Sequence, residues 1–212
     1  MRTFRIGQLL PLLAVTVGAS ACAQEPIPSD VQAVIDRSHN SRANYAVFLT
    51  SEVFRGDERR VEVNAEFQQG AMHRVEVPDA RILSNCETGT GFTYDVRQQR
   101  FVDSPKMSGG ACGIAIGADE PFSAKMLEPI TGTFGRADVI ELTGAKFVRR
   151  YAVTDDGIIV ANDYEPRRAD VPFALRTLSV KVVRGTQDAA MFEPKSLSKA
   201  FAPAPVSNTP TE

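Results

Sequence analysis

The chain has 212 residues, a formal net charge of −2, two histidines and no tryptophan. Hydrophobic residues make up 43% and charged residues 24%, the balance of a folded globular chain and not of a disordered one. No basic block is present, so nothing offers nucleic acid the positive stripe that it requires.

The first element is an export signal over residues 1–23. Arg2 and Arg5 supply a short positive start, residues 6–17 are apolar apart from Gly7, Gln8, Pro11 and Thr16, and Gly18-Ala19-Ser20-Ala21-Cys22-Ala23 is rich in small side chains. This is the order of a secretory signal with its cleavage site. A membrane span needs roughly 20 apolar residues, and this run is shorter and carries a proline. The expected address is the cell envelope, on the periplasmic side. Ala19-Ser20-Ala21 would direct cleavage before Cys22, and Ala21-Cys22-Ala23 before Gln24. The third option is lipidation of Cys22, which would leave a membrane-anchored lipoprotein facing the periplasm. Such boxes usually carry leucine where Ala19 stands, which favours release. Loss of Arg2 and Arg5 leaves the mature chain near −4, with about 190 residues for one domain.

Residues 24–30 read as a linker, and 31–198 as a single domain. Ser29 or Asp30 is expected to cap a helix over residues 31–39, with Val31, Val34 and Ile35 on one face. Strands then dominate. Residues 45–54 are rich in β-branched and aromatic side chains. Residues 60–68 alternate strictly, with Val61, Val63, Ala65 and Phe67 on one side and Glu62, Asn64, Glu66 and Gln68 on the other, as in a half-buried strand. Further strands are expected over 72–77, 80–84, 91–96 and 100–102, joined by short turns and therefore antiparallel. Residues 104–117 are glycine-rich and irregular, and 121–127 read as a short helix opened by Pro121. Strands resume over 139–142 and 146–154. Asp155-Asp156-Gly157 makes a hairpin turn, and strands over 158–164 and 173–183 follow. Residues 199–212 read as a disordered tail. The fold class is mainly β (α+β): a curved antiparallel sheet or half-barrel with an N-terminal helix and a short lid helix, a closed barrel being the alternative.

Three cysteines are an odd number for an oxidising compartment, but the signal accounts for Cys22. Cys86 and Cys112 remain as a pair, most simply a disulfide. A redox or metal pair is the alternative, although Cys-x-x-Cys is absent and neither cysteine has a histidine near it in sequence. His39 and His73 show no metal spacing, Gly109-Gly110-Ala111-Cys112-Gly113 lacks the lysine of a phosphate loop, and no Gly-x-Ser-x-Gly or Ser-x-x-Lys motif occurs. Neither a cofactor nor an enzymatic activity is expected on these grounds.

The order of elements, the hairpin Tyr151-Ala152-Val153-Thr154-Asp155-Asp156-Gly157-Ile158-Ile159, and the close Leu178-Ser179-Val180-Lys181-Val182-Val183 followed by Asp188-Ala189-Ala190-Met191-Phe192-Glu193-Pro194 carry a likeness. Over about residues 30–195 the chain resembles the periplasmic lipoprotein-carrier superfamily of the LolA and LolB type, which includes the sensor domain of RseB. The resemblance implies a half-barrel with a lid, and a concave apolar face that holds an acyl chain, a lipid or a lipoprotein, with peripheral membrane contact. Candidate lining residues are Val61, Val63, Phe67 and Phe92 on strand faces, and Phe122, Met126 and Leu127 on the expected lid. The same residues would serve any ordinary core. The Cys86/Cys112 pair and its glycine-rich loop depart from the family pattern. Two other readings stand beside the carrier: an envelope adaptor binding other proteins through sheet edges, and a small hydrolase.

If the bridge forms, it closes a loop of about 27 residues and should contribute roughly 3.5 kcal/mol by restricting the unfolded chain. Urea denaturation with and without reductant checks this; identical midpoints would contradict a bridge.

Overall fold

A computed structural model describes residues 26–41, 43–102, 111–116 and 121–203. Among these residues there is one α-helix, α1 (Ser29–His39), and a single open antiparallel sheet of eleven strands that does not close into a barrel. The strands are β1 (Tyr45–Arg55), β2 (Glu58–Gln69), β3 (Met72–Val77), β4 (Ala80–Asn85), β5 (Thr90–Asp95), β6 (Arg100–Val102), β7 (Ser123–Gly132), β8 (Gly135–Thr143), β9 (Phe147–Thr154), β10 (Ile159–Pro166) and β11 (Phe173–Arg184). Their spatial order is β6-β5-β4-β3-β2-β1-β11-β10-β9-β8-β7. Two meanders thus form two wings, joined because the last strand pairs with the first. Tyr45 lies opposite Arg184 and Arg55 opposite Phe173. The ladder shifts at Thr50/Ser51, where Ser179 and Thr177 are the successive partners and Leu178 is the extra residue. This bulge resets the alternation of β11, so Val180 and Val182 join Val47 and Leu49 in a core cluster with Ile158, Val160, Ala152 and Ala137.

The expected helix over residues 121–127 does not form; from Ser123 the chain is strand β7. Ala124 lies opposite Leu142 and Met126 opposite Ile140, and both pack against the core, so the segment obeys period 2. Pro121 precedes β7 and does not open a helix. Pro129 is tolerated because β7 is an edge strand and its ladder with β8 shifts between Leu127 and Ile130. Cover for this wing comes instead from α1, whose Val31, Val34 and Ile35 pack on Ile140, Leu142, Tyr151 and Val153. The helix begins at Ser29, without a side-chain cap, and carries Asp30 in its first turn and Arg37 and His39 in its last, both favourable to its dipole.

Residues 111–116 form a strap against the C-terminal end of α1. Ile114 donates its N–H to Ser38 Oγ at 3.0 Å, and its carbonyl accepts from His39 Nε2 at 2.9 Å. Gly113 has φ +86°, and a Cβ there would lie 2.9 Å from the His39 backbone nitrogen, so only glycine fits. The other end of the strap is tied to the turn after β4 by a Cys86–Cys112 disulfide with a Cα–Cα distance of 5.6 Å.

On the N-terminal wing, the side chains of one sheet face are Ala46, Ala65, Phe67, Leu83 and Tyr94. They are covered by residues after β11, namely Met191, Phe192 and Leu197 from two 3-10 turns (Ala189–Phe192 and Pro194–Ser198). A fully buried Arg74 holds this segment down. Its five N–H groups reach Glu76 Oε1 at 2.7 Å, the Met191 carbonyl at 2.8 Å, Ser196 Oγ at 2.6 Å, the Ser196 carbonyl at 3.3 Å and the Lys199 carbonyl at 2.6 Å. Glu76 in turn accepts from the backbone N–H of Phe201 and Ala202 at 3.0 and 2.9 Å. Lys199, Phe201 and Ala202, within the expected tail, are therefore held against the sheet; residues 204–212 lie outside the described residues, as does the signal with Cys22.

Arg74→Met should cost about 3–5 kcal/mol, because Glu76 would remain buried and unpaired. Arg74→Met with Glu76→Gln should recover part of that loss, since glutamine keeps an acceptor for Phe201 and Ala202. Leu178→Ala, at a half-exposed site, should stay within about 0.5 kcal/mol. Urea midpoints of the three variants check the order.

Candidate functional site

The strand face opposite the Arg74 latch borders a cavity of about 220 Å³. β1 contributes Tyr45, β2 Glu66 and Gln68, β3 His73 and Val75, and β4 Ile82. From the other wing come Tyr151, Gly157, Ile159, Asn162 and Tyr164, while Ser38 and His39 of α1, Cys86, and the strap residues Ala111, Cys112, Gly113 and Ala115 complete the lining. The site therefore lies where both wings, the helix and the strap meet. Register explains the composition. Glu66 and Gln68 alternate with Ala65 and Phe67, so once the Phe67 side is buried beneath the C-terminal segment, the polar side of β2 must face the cavity.

Its polar groups are largely pinned. Gln68 Nε2 donates to the Ser41 carbonyl at 2.6 Å, and the Tyr151 and Tyr164 hydroxyls meet at 2.8 Å. His73 is 4% exposed. Its Nδ1 lies 2.6 Å from the Ala111 carbonyl, an acceptor only, so that nitrogen carries the proton. Nε2 faces Glu66 Oε2 at 3.5 Å, too far for a good hydrogen bond, and has no other partner among the described residues. Asn162 Oδ1 is likewise buried and unpartnered among them. Burial raises the Tyr45 phenol well above its ordinary value, and the carboxylates of Glu66 and Asp156 add to the effect. Tyr151 is raised as well, first by burial and then by Tyr164. Both stay neutral hydrogen-bonding groups at working pH. A His73 ring nitrogen and the sulfurs of Cys86 and Cys112 lie within 4.8 Å of one another.

None of the seven candidate lining residues borders this cavity. Phe67 lies in the core beneath the C-terminal segment, and Met126 packs in the α1 core. Val61 and Val63 line a separate groove of about 330 Å³ on the latch side, with Val77, Pro78, Arg81 and Ala202. Phe92 and Phe122 are half exposed, the latter beneath the Arg167 guanidinium 4.6 Å from its ring. Leu127 lies opposite Val139 in the β7–β8 ladder. Residue pattern pairs Cys86 with Cys112 but gives no sign of Tyr45, Glu66, His73 or Asn162 as a group. The visible signal is the recurrence of polar residues on one side of residues 60–68, which by itself reads as a face turned to solvent.

No known protein family matches the chain, and no curated protein does. Solved structures are similar to it. An uncharacterized conserved protein from Thermus thermophilus shares 14% identity with a TM-score of 0.48, covering 79% of this chain and 96% of that one. The MucA/MucB complex of Pseudomonas aeruginosa shares 8% identity with a TM-score of 0.48, covering 77% of this chain and 60% of the matched one. A LolA superfamily protein from Nitrosomonas europaea shares 11% identity with a TM-score of 0.35, covering 79% of this chain and 99% of that one.

The raised phenols give stability a sign with pH. An unfolded tyrosine ionises near pH 10, whereas Tyr45 and Tyr151 hold their protons higher. Their contribution is complete below about pH 10 and is lost as pH rises from there toward the folded values. Ultraviolet titration of the four tyrosines should show these two ionising only with unfolding. Tyr45→Phe should flatten the alkaline loss of stability.

Proposed function

We propose that this protein is an exported binding or carrier protein of the cell envelope, and that its cavity holds one end of an amphiphile: an acyl chain, a lipid or the acyl group of a lipoprotein. The observation that carries this reading is the composition of the lining. Val75, Ile82, Ile159 and the rings of Tyr45, Tyr151 and Tyr164 offer apolar surface, while His73, Glu66 and Asn162 supply polar atoms, two of them unpartnered among the described residues. An acyl segment gains roughly 0.8 kcal/mol per buried CH₂. A head group with two hydrogen-bond donors would satisfy Asn162 Oδ1 and His73 Nε2, both acceptors, which a purely apolar cargo would leave unpaired.

The cavity is smaller than the roughly 300–1,000 Å³ usual for ligand sites, so a whole lipid requires it to enlarge. The movable wall is the strap, held to α1 through Ile114 and tethered to the turn after β4 at Cys86. The disulfide lets the strap swing without leaving. Binding, without catalysis, is the proposed role. The adaptor reading has a specific feature in its favour, since β7 is a sheet edge among the described residues. The shift in its ladder, Pro129 and the exposed Lys125 blunt that edge against strand addition.

Native mass spectrometry of the protein gently isolated from envelopes tests the proposal. A copurifying amphiphile is expected, and Val75→Phe, which fills the cavity, should reduce its occupancy at least about tenfold while leaving the fold intact. The tenfold loss corresponds to roughly 1.4 kcal/mol. Repeated absence of any bound amphiphile from the wild type, or undiminished occupancy in Val75→Phe, would overturn the reading.

A further inference from the structure

We propose that reduction of the Cys86–Cys112 bridge converts one wall of the cavity into a site for a single Zn²⁺ ion, held by the two thiolates and the imidazole of His73. This goes beyond the binding role and does not depend on which cargo the cavity takes.

Three separate elements bring the donors together. Cys86 follows β4, Cys112 lies in the strap and His73 lies on β3. A ring nitrogen of His73 and the two sulfurs lie within 4.8 Å of one another. His73 is built as a metal ligand would be. It is 4% exposed, its Nδ1–H donates to the Ala111 carbonyl, and its Nε2 has no hydrogen-bond partner among the described residues. A backbone carbonyl on one nitrogen is the usual device that fixes the tautomer of a ligating histidine and leaves the other nitrogen's lone pair free for a metal. Two thiolates and one imidazole form a Cys₂His set suited to Zn²⁺, whose fourth position a water can take.

Zn–S bonds of about 2.3 Å in a tetrahedron put the sulfurs about 3.8 Å apart, so the thiols must separate once the bridge is opened. The strap residue Cys112 is not part of the sheet ladder and can supply that displacement. The chemistry balances with a dithiol as reductant. The dithiol attacks the bridge, gives up two electrons as it becomes a disulfide, and leaves Cys86 and Cys112 as thiols. Zn²⁺ then displaces the two thiol protons to solvent and undergoes no redox change. In the oxidised protein the sulfurs are spent on each other and the site is closed.

The test uses the full mature chain, oxidised or reduced with a phosphine, titrated with Co²⁺ and then Zn²⁺. The reduced protein should take up one Co²⁺ with thiolate-to-cobalt charge-transfer absorption that Zn²⁺ abolishes, and the oxidised protein should take up none. Reduced His73→Gln should bind at least about tenfold more weakly with an altered cobalt spectrum, and Cys86→Ser, which also lacks the bridge, should lose the charge-transfer band of paired thiolates. Absence of stoichiometric binding by the reduced wild type, or equal binding by His73→Gln, would overturn the proposal. If reduction unfolds the chain, added Zn²⁺ should restore the native circular dichroism spectrum, and failure to do so would overturn it equally.

Discussion

The pairing of β1 with β11 is the constraint on which the molecule depends. Each wing alone is a meander of neighbouring strands, readily formed by local contacts. The two become one sheet only when the final strand is laid along the first, in register from Tyr45–Arg184 to Arg55–Phe173. Closing a contact between residues so distant in the chain carries a loop-closure cost that local hairpins avoid. It is offset by a long ladder and by the valines that the bulge at Leu178 turns inward. The β10–β11 join is slighter, with Tyr164 opposite Leu175 and side-chain bonds from Asp163 and Thr177 completing it.

Everything placed after β11 follows from that pairing. The chain leaves Arg184 beside the N-terminal wing and crosses it, where Arg74 waits with five donors and Glu76 with its acceptors. A charge buried this deeply is destabilising unless it is wholly satisfied. The C-terminal segment is what satisfies it, so the latch and the burial of Phe67, Leu83 and Tyr94 are one event. That choice of face has a functional consequence. Once one side of β2 and β3 is committed to the latch, the other side, with Glu66, Gln68 and His73, is left to meet α1 and the strap.

Much of the fold is legible from residue pattern. The strict alternation of residues 60–68, the Asp155-Asp156-Gly157 turn and the helix after Pro28 all reflect local periodicity or local backbone preference. The parity of cysteines makes Cys86 and Cys112 partners. Residues 121–127 depart from the expected helix because a proline followed by a short apolar run is compatible with a helix start. Only the partner strand β8 shows that Ala124 and Met126 point together, as alternate residues of a strand do. The bulge at Leu178 is invisible in the sequence for a related reason, since it exists only in the register with Thr50 and Ser51.

The site divides along the same line. The sequence by itself determined the predominance of strands, the period-2 faces and the pairing of the cysteines, because each depends on neighbours in the chain or on a count. Tertiary structure alone decided which face of each strand is buried by what. It turned the valine and phenylalanine side of β2 toward the Arg74 latch, and the polar side toward the cavity. It also brought Cys112 of the strap beside His73 and Cys86 of the β3–β4 hairpin, because such long-range contacts are properties of the assembled fold and of no single segment.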